Sequence, residues 1–155
     1  MSMESINPAT GEAIETFKPF GQAQIDQALE RARGAFLEWR KTSLEARRRC
    51  FHELAGYLRD NKSELGLSAT QEMGKTISEA EAEVEKCAWN CDFFADHAEE
   101  FLADQPLASS ATESYVGYRP LGVVLAVMPW NYPYWQVFRF AAPALMAGNT
   151  AVLKH

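Results

Sequence analysis

Val123-Val-Leu-Ala-Val-Met128, Pro129-Trp-Asn-Tyr-Pro133, the segment Tyr134 to Ala147, Gly148-Asn149 and Thr150-Ala-Val-Leu-Lys154 follow one another and decide how the chain is read. The first six residues are continuously apolar, too few for a helix and rich in β-branched side chains. That pattern suits a strand covered on both faces, as in a parallel sheet. Two prolines break the run, an apolar stretch of helical length follows, Gly148-Asn149 closes it, and Thr150 to Leu153 begins a second apolar strand. Strand, crossover helix and strand in so short a span make a βαβ unit, with a right-handed crossover. The two strands then run parallel, and their carboxyl ends share the sheet edge at which open α/β sheets bind ligands. Trp130-Asn131 follows the first strand and Lys154-His155 the second, so both pairs reach one rim. Two parallel strands do not finish a sheet, since such sheets need helices on both faces and neighbours at both edges. The expectation is the N-terminal part of a larger, truncated α/β protein.

Upstream of this unit, residues 22 to 104 carry a helical period. Ile25, Leu29, Ala32, Phe36 and Trp39 recur at steps of three and four, as do Phe51, Leu54, Ala55 and Leu58. Thr42 with Glu45, Asn61 with Glu64 and Ser78 with Glu81 read as capping pairs that start successive helices. Gly74 reads as the left-handed residue that ends the third. A long fourth helix presents Val84, Ala88, Cys91, Phe94 or Ala95, and Phe101 or Leu102 on one face, with its acids turned mostly to solvent. Near residue 113 the period changes. Glu113 to Arg119 alternates and reads as a half-exposed strand that ends at Pro120.

The whole chain has 155 residues, 47% of them hydrophobic, and a net charge of −6. This balance argues against a disordered tail and against a nucleic-acid binder, whose footprint is basic. No apolar run approaches the roughly 20 residues that span a bilayer, and the start lacks the pattern of a signal peptide. A cytoplasmic protein, off the membrane, is the expectation. The charge is unevenly spread: residues 64–112 hold 11 acids and 2 bases, whereas residues 113–155 hold 3 bases and 1 acid. An anionic ligand therefore sits most easily on the last segment. Cys50, Cys87 and Cys91 are an odd number in a chain without export signals, so reduced thiols are expected. Cys87 and Cys91, four apart with His97 nearby, could face one metal. The favoured alternative is that they are small core hydrophobes and that there is no metal site.

No glycine-rich phosphate loop of either common kind occurs. Asn131, bracketed by Pro129 and Pro133, has two readings from spacing alone. Its amide can donate to an oxygen that turns negative in a transition state, or its side chain can cap the next helix. Lys154 is either a surface residue at a strand end or a donor to a hydroxyl or phosphate of a nucleotide.

Met128-Pro-Trp-Asn-Tyr-Pro133, Pro143-Ala-Leu-Met-Ala-Gly-Asn149 and Ala151-Val-Leu-Lys154, in this order and spacing, resemble the aldehyde dehydrogenase superfamily. Ile6-Asn-Pro-Ala-Thr-Gly11, Ala35-Phe36-x-x-Trp39, Glu72-Met-Gly-Lys75 and Tyr118-Arg-Pro-Leu-Gly122 extend the resemblance over essentially the whole chain. It implies N-terminal helices followed by the start of a Rossmann-like parallel sheet, with residues 1–155 forming the N-terminal part of an NAD- or NADP-binding domain. It also implies oxidation of an aldehyde to a carboxylic acid through a cysteine thiohemiacetal. Asn131 would stabilise the oxyanion, Val127, Met128, Pro129 and Trp130 would line the cofactor, and Lys154 would bind the adenosine ribose. The nucleophilic cysteine and the general-base glutamate of the family lie downstream, and Cys50, Cys87 and Cys91 match no nucleophile motif. This chain alone is therefore expected to be inactive.

Tyr132, Trp135, Gln136 and Arg139 would line the substrate tunnel. Arg139 can grip a carboxylate through two parallel hydrogen bonds, and with Leu-Lys-His155 it resembles the bacterial succinate-semialdehyde dehydrogenases. A broader aliphatic or aromatic specificity and a non-catalytic nucleotide-binding or assembly role are the alternatives. The resemblance further implies a homo-oligomer, to which the 113–119 strand would contribute.

Overall fold

The computed structural model describes residues 3–154. In chain order they form a hairpin of β1 (Met3–Ile6) and β2 (Ala13–Phe17), then the helices α1 (Gln22–Trp39), α2 (Leu44–Asp60), α3 (Lys62–Met73) and α4 (Ile77–Leu102). A short pair follows, β3 (Gln105–Pro106) with β4 (Tyr115–Val116), and the βαβ unit of β5 (Val123–Val127), α5 (Trp135–Met146) and β6 (Thr150–Lys154) completes the set. β5 and β6 pair in parallel, with Val123 opposite Thr150 and Val127 opposite Lys154. No helix among the described residues is long and apolar enough to cross a membrane.

α4 is the centre of the packing, with α2, α3 and α5 all laid against it. Its buried face is made largely of small side chains: Ala80, Val84, Cys87, Ala88, Cys91, Ala95 and Ala98. Small residues let neighbouring helices approach closely, and Phe51, Leu58, Ala142 and Met146 fill the space between them. Burying a Phe, Leu or Met side chain contributes about 1.5–3 kcal/mol each. The thiols of Cys87 and Cys91 therefore serve as core hydrophobes. His97 stacks on Phe93, with 4.6 Å between ring centroids, instead of joining them. Among the described residues no group of three or more His, Cys, Asp or Glu side chains is placed to hold a metal ion.

The carboxyl end of α5 is closed by side chains from elsewhere. Arg47, buried at the start of α2, donates from Nη1 to the Met146 carbonyl (2.9 Å) and from Nε to the Thr42 hydroxyl (3.0 Å). Its other nitrogen reaches the Thr42 carbonyl at 3.0 Å and those of Trp39 and Arg40 at 3.3 Å. Trp39 Nε1 donates to the Leu145 carbonyl at 2.8 Å. One guanidinium thus donates to carbonyls at the ends of two helices, where the helices themselves supply too few donors. Burial lowers its pKa.

Several expectations are corrected here. α2 starts one residue later than the Thr42 reading: Ser43 is the cap, its hydroxyl accepting from Ala46 N, while the Thr42 hydroxyl donates to the Trp39 carbonyl. α4 starts earlier than the Ser78 reading, with Thr76 accepting from Glu79 N. Asn61 does stand at the start of α3, but its side chain donates back to the Tyr57 carbonyl and closes α2. Gly74 ends α3 at φ 77°, as expected. The 113–119 strand shrinks to Tyr115–Val116, because its partner is two residues long and includes Pro106, which has no N–H to give. β5 is not covered on both faces: Leu125 and Val127 are 68% and 61% exposed. Similarly, Ile25 and Leu29 of the α1 stripe remain exposed. Glu83 breaks the rule that the acids of α4 face solvent, for it is buried. The β1–β2 hairpin was not anticipated. Its turn is built by the Asn7 side chain accepting from Ala9 N and by Gly11 at φ 74°.

Gly148 offers a test of the Arg47 arrangement. It sits at φ +89°, and a Cβ there would lie 3.1 Å from both terminal guanidinium nitrogens. Gly148→Ala is expected to cost about 1–3 kcal/mol. Gly34→Ala, in open space on α1, is expected to be neutral or to stabilise by up to about 1 kcal/mol. Urea unfolding midpoints of the two variants measure the contrast.

Candidate functional site

The parallel register sets the frame of the site. Val127 lies opposite Lys154, and Met128 N donates to the Lys154 carbonyl at 3.1 Å, so both strands finish at the same level. The rim expected from the spacing is therefore formed. Lys154 is exposed at its end, beside the exposed Val127. His155 lies outside the described residues.

The loop from Pro129 to Tyr134 crosses from this rim to α5. The prolines restrict its torsions at both ends. Asn131 does not cap the helix: the cap position belongs to Tyr134, which uses no side chain for it. The first amides of α5 are taken instead by a carboxylate from another helix. One oxygen of Glu83 accepts from Tyr134 N at 3.0 Å and from Trp135 N at 2.8 Å. Its second oxygen pairs with Lys75, which stands in the turn between α3 and α4. A negative group at a helix start is favoured by the helix dipole as well as by the two hydrogen bonds.

Two cations lie over aromatic rings beside Asn131. Lys75 Nζ is 3.5 Å from the centroid of Tyr132, and Lys86 Nζ is 3.9 Å from that of Trp135. Together with Glu79 and Asn131 these residues line an open cavity of about 560 Å³. A second cavity of about 330 Å³ lies between Trp130, Pro133, Tyr134, Val137 and Leu153. The loop therefore separates two spaces, with Asn131 on one and its neighbour Trp130, 76% exposed, on the other. Trp135, Gln136 and Arg139 share one face of α5 by their spacing. Gln136 and Arg139 line neither cavity. Arg139 is exposed and makes no ion pair among the described residues.

Lys75, Glu83 and Lys86 did not emerge as site residues from the sequence alone. A signal for Glu83 was present: it falls three residues after Ala80 and four before Cys87, on the stripe that α4 buries. The two buried thiols offer no reactive group. Burial pushes Cys91 up to about 12 and Cys87 further still, so both are protonated at neutral pH.

Comparison with known proteins agrees with this architecture. The model of the aldehyde dehydrogenase family matches residues 1–155. A protein of Synechocystis named as a probable NADP⁺ succinate-semialdehyde dehydrogenase is 48% identical over all of this chain and 34% of its own length. A succinate-semialdehyde dehydrogenase of Mycobacterium avium is 47% identical with the same coverage. The crystal structure of a succinic semialdehyde dehydrogenase from Streptococcus pyogenes, in complex with NADP⁺, superposes with a TM-score of 0.93. It is 39% identical and matches 98% of this chain and 34% of that one. The chain thus spans about a third of the length of the relatives it matches, and the family model covers all of it: this chain belongs to the aldehyde dehydrogenase family.

Proposed function

We propose that the chain forms the N-terminal part of the nucleotide-binding domain of an enzyme that oxidises succinate semialdehyde to succinate with NADP⁺ or NAD⁺. The observation that carries this reading is the identity of 46–48% to proteins named as NADP⁺-dependent succinate-semialdehyde dehydrogenases, sustained over the whole chain.

The residues present suit such a cofactor. Lys154 brings an exposed ammonium to the rim, with three rotatable donors for a ribose hydroxyl or a phosphate oxygen. Val127, Met128, Pro129 and Trp130 offer apolar surface beside it, and the only acid of residues 113–155 is Glu113. When bound, the nicotinamide would accept the hydride of the aldehyde. Lys154 and the Val127–Trp130 run would hold and orient it. Asn131 would donate its side-chain amide to the aldehyde oxygen as that oxygen gains negative charge, and its freedom from a capping role leaves the amide available. Tyr132, Trp135 and Gln136 would flank the aldehyde chain, with Arg139 holding the distal carboxylate. None of the three cysteines suits the nucleophile's role: Cys87 and Cys91 are buried and protonated, and the exposed Cys50 on α2 lines neither cavity. In the complete enzyme we place the protein in the cytoplasm as a homo-oligomer, with the Tyr115–Val116 region a candidate contact.

Three measurements test this reading. The isolated 155-residue chain is expected to form no NADPH from NADP⁺ and succinate semialdehyde, whereas the full-length enzyme does. In the full-length enzyme Asn131→Ala is expected to lower kcat by about 10²–10³. Arg139→Ala is expected to reduce kcat/KM for succinate semialdehyde by about ten- to a hundred-fold while leaving hexanal nearly unaffected. An unchanged preference between the two aldehydes would move the assignment to a broader specificity.

A further inference from the structure

We infer that Lys75 and Glu83 are positioning residues for Asn131, an inference that rests on the functional reading above and assigns it two residues outside the loop. Asn131 is exposed and makes no hydrogen bond among the described residues, so its place is set by the backbone on either side of it. Upstream, Met128 N is tied to the β6 strand end. Downstream, the Tyr134 hydroxyl donates to the Leu65 carbonyl at 3.1 Å, and one ion pair reaches three residues of the segment. Glu83 takes the amides of Tyr134 and Trp135, Lys75 packs its ammonium on the ring of Tyr132, and Pro133 between them is rigid.

The pair is expensive to bury. The side chains of Lys75 and Glu83 are only 9% and 2% exposed. Buried ion pairs are often replaceable by apolar residues at no loss of stability, so core packing alone does not call for one here. A charged acceptor does have a use at this point, because one carboxylate oxygen can take two amides at once. It also brings a hazard. An unneutralised carboxylate lining the same cavity as Asn131 would oppose the growth of negative charge on a substrate oxygen there. Lys75 removes that hazard by pairing with the oxygen that the amides do not use. The two residues together hold the loop without adding net charge to the cavity.

The test uses the full-length enzyme, with Lys75→Met, Glu83→Gln and the double variant compared with the unaltered protein. Lys75→Met leaves a bare carboxylate. If it fails to fold, the double variant carries the comparison, since the amide that replaces the Glu83 carboxylate retains an acceptor oxygen and no charge is orphaned. Lys75→Met is expected to lower kcat about ten-fold or more, to keep KM for NADP⁺ within about two-fold, and to raise amide exchange in the peptide 129–136 about ten-fold. The double variant is expected to recover part of the lost kcat. Exchange in α2 should not change in any of them. The proposal is overturned if kcat and exchange at 129–136 match the unaltered protein in both Lys75→Met and the double variant, or if exchange rises equally in every helix. Should the unaltered enzyme show no NADP⁺-dependent oxidation of succinate semialdehyde, the functional reading fails, and the exchange comparison still decides whether the pair holds the loop.

Discussion

The contact between α4 and α5 is what the remaining structure is arranged around, and it is polar at its critical points. Glu83 receives the first amides of α5, and about two turns further along α4 Asn90 donates to the Phe138 carbonyl at 3.0 Å. Between these anchors the small side chains Val84, Cys87 and Ala88 share a core with Trp135 and Phe138, and apolar contact is non-directional, so by itself it leaves the helices free to slide. The hydrogen bonds remove that freedom and fix the register of one helix on the other. Arg47 then closes the far end of α5 from α2. A helix held at its start, middle and end delivers the loop before it and the strand after it to set places.

How much of this could be read in advance depended on whether the cause was local. The βαβ unit was legible because β-branched runs, two prolines and a glycine punctuate a few consecutive turns of chain. Gly74 was legible for the same reason. The caps were misplaced by one or two residues at Thr42 and Ser78, where several hydroxyl residues stand close together and only the tertiary path of the chain chooses among them. The β-branched, continuously apolar composition of β5 reads as a strand covered on both faces, but composition does not say what lies over each face. Among residues 3–154 the Leu125 and Val127 face has no helix upon it. The 113–119 alternation was real as a pattern, but alternation says nothing about the length of the partner strand.

The site divided along the same line. The meeting of Val127 with Lys154 and the opening of Asn131 into a cavity follow from parallel pairing and from chain order. The roles of Lys75 and Glu83 depend on a turn between two earlier helices coming to rest under a loop some fifty residues away. Charge in an acidic helix is easily taken for solvation. Only its phase against the apolar stripe separates the one buried carboxylate from its solvated neighbours.

The loop from Pro129 to Tyr134 is also a partition. Trp130 and Asn131, although adjacent in the chain, line different cavities. A change at Trp130 therefore reshapes the smaller cavity and leaves the lining of the larger one untouched, and a change at Asn131 does the reverse.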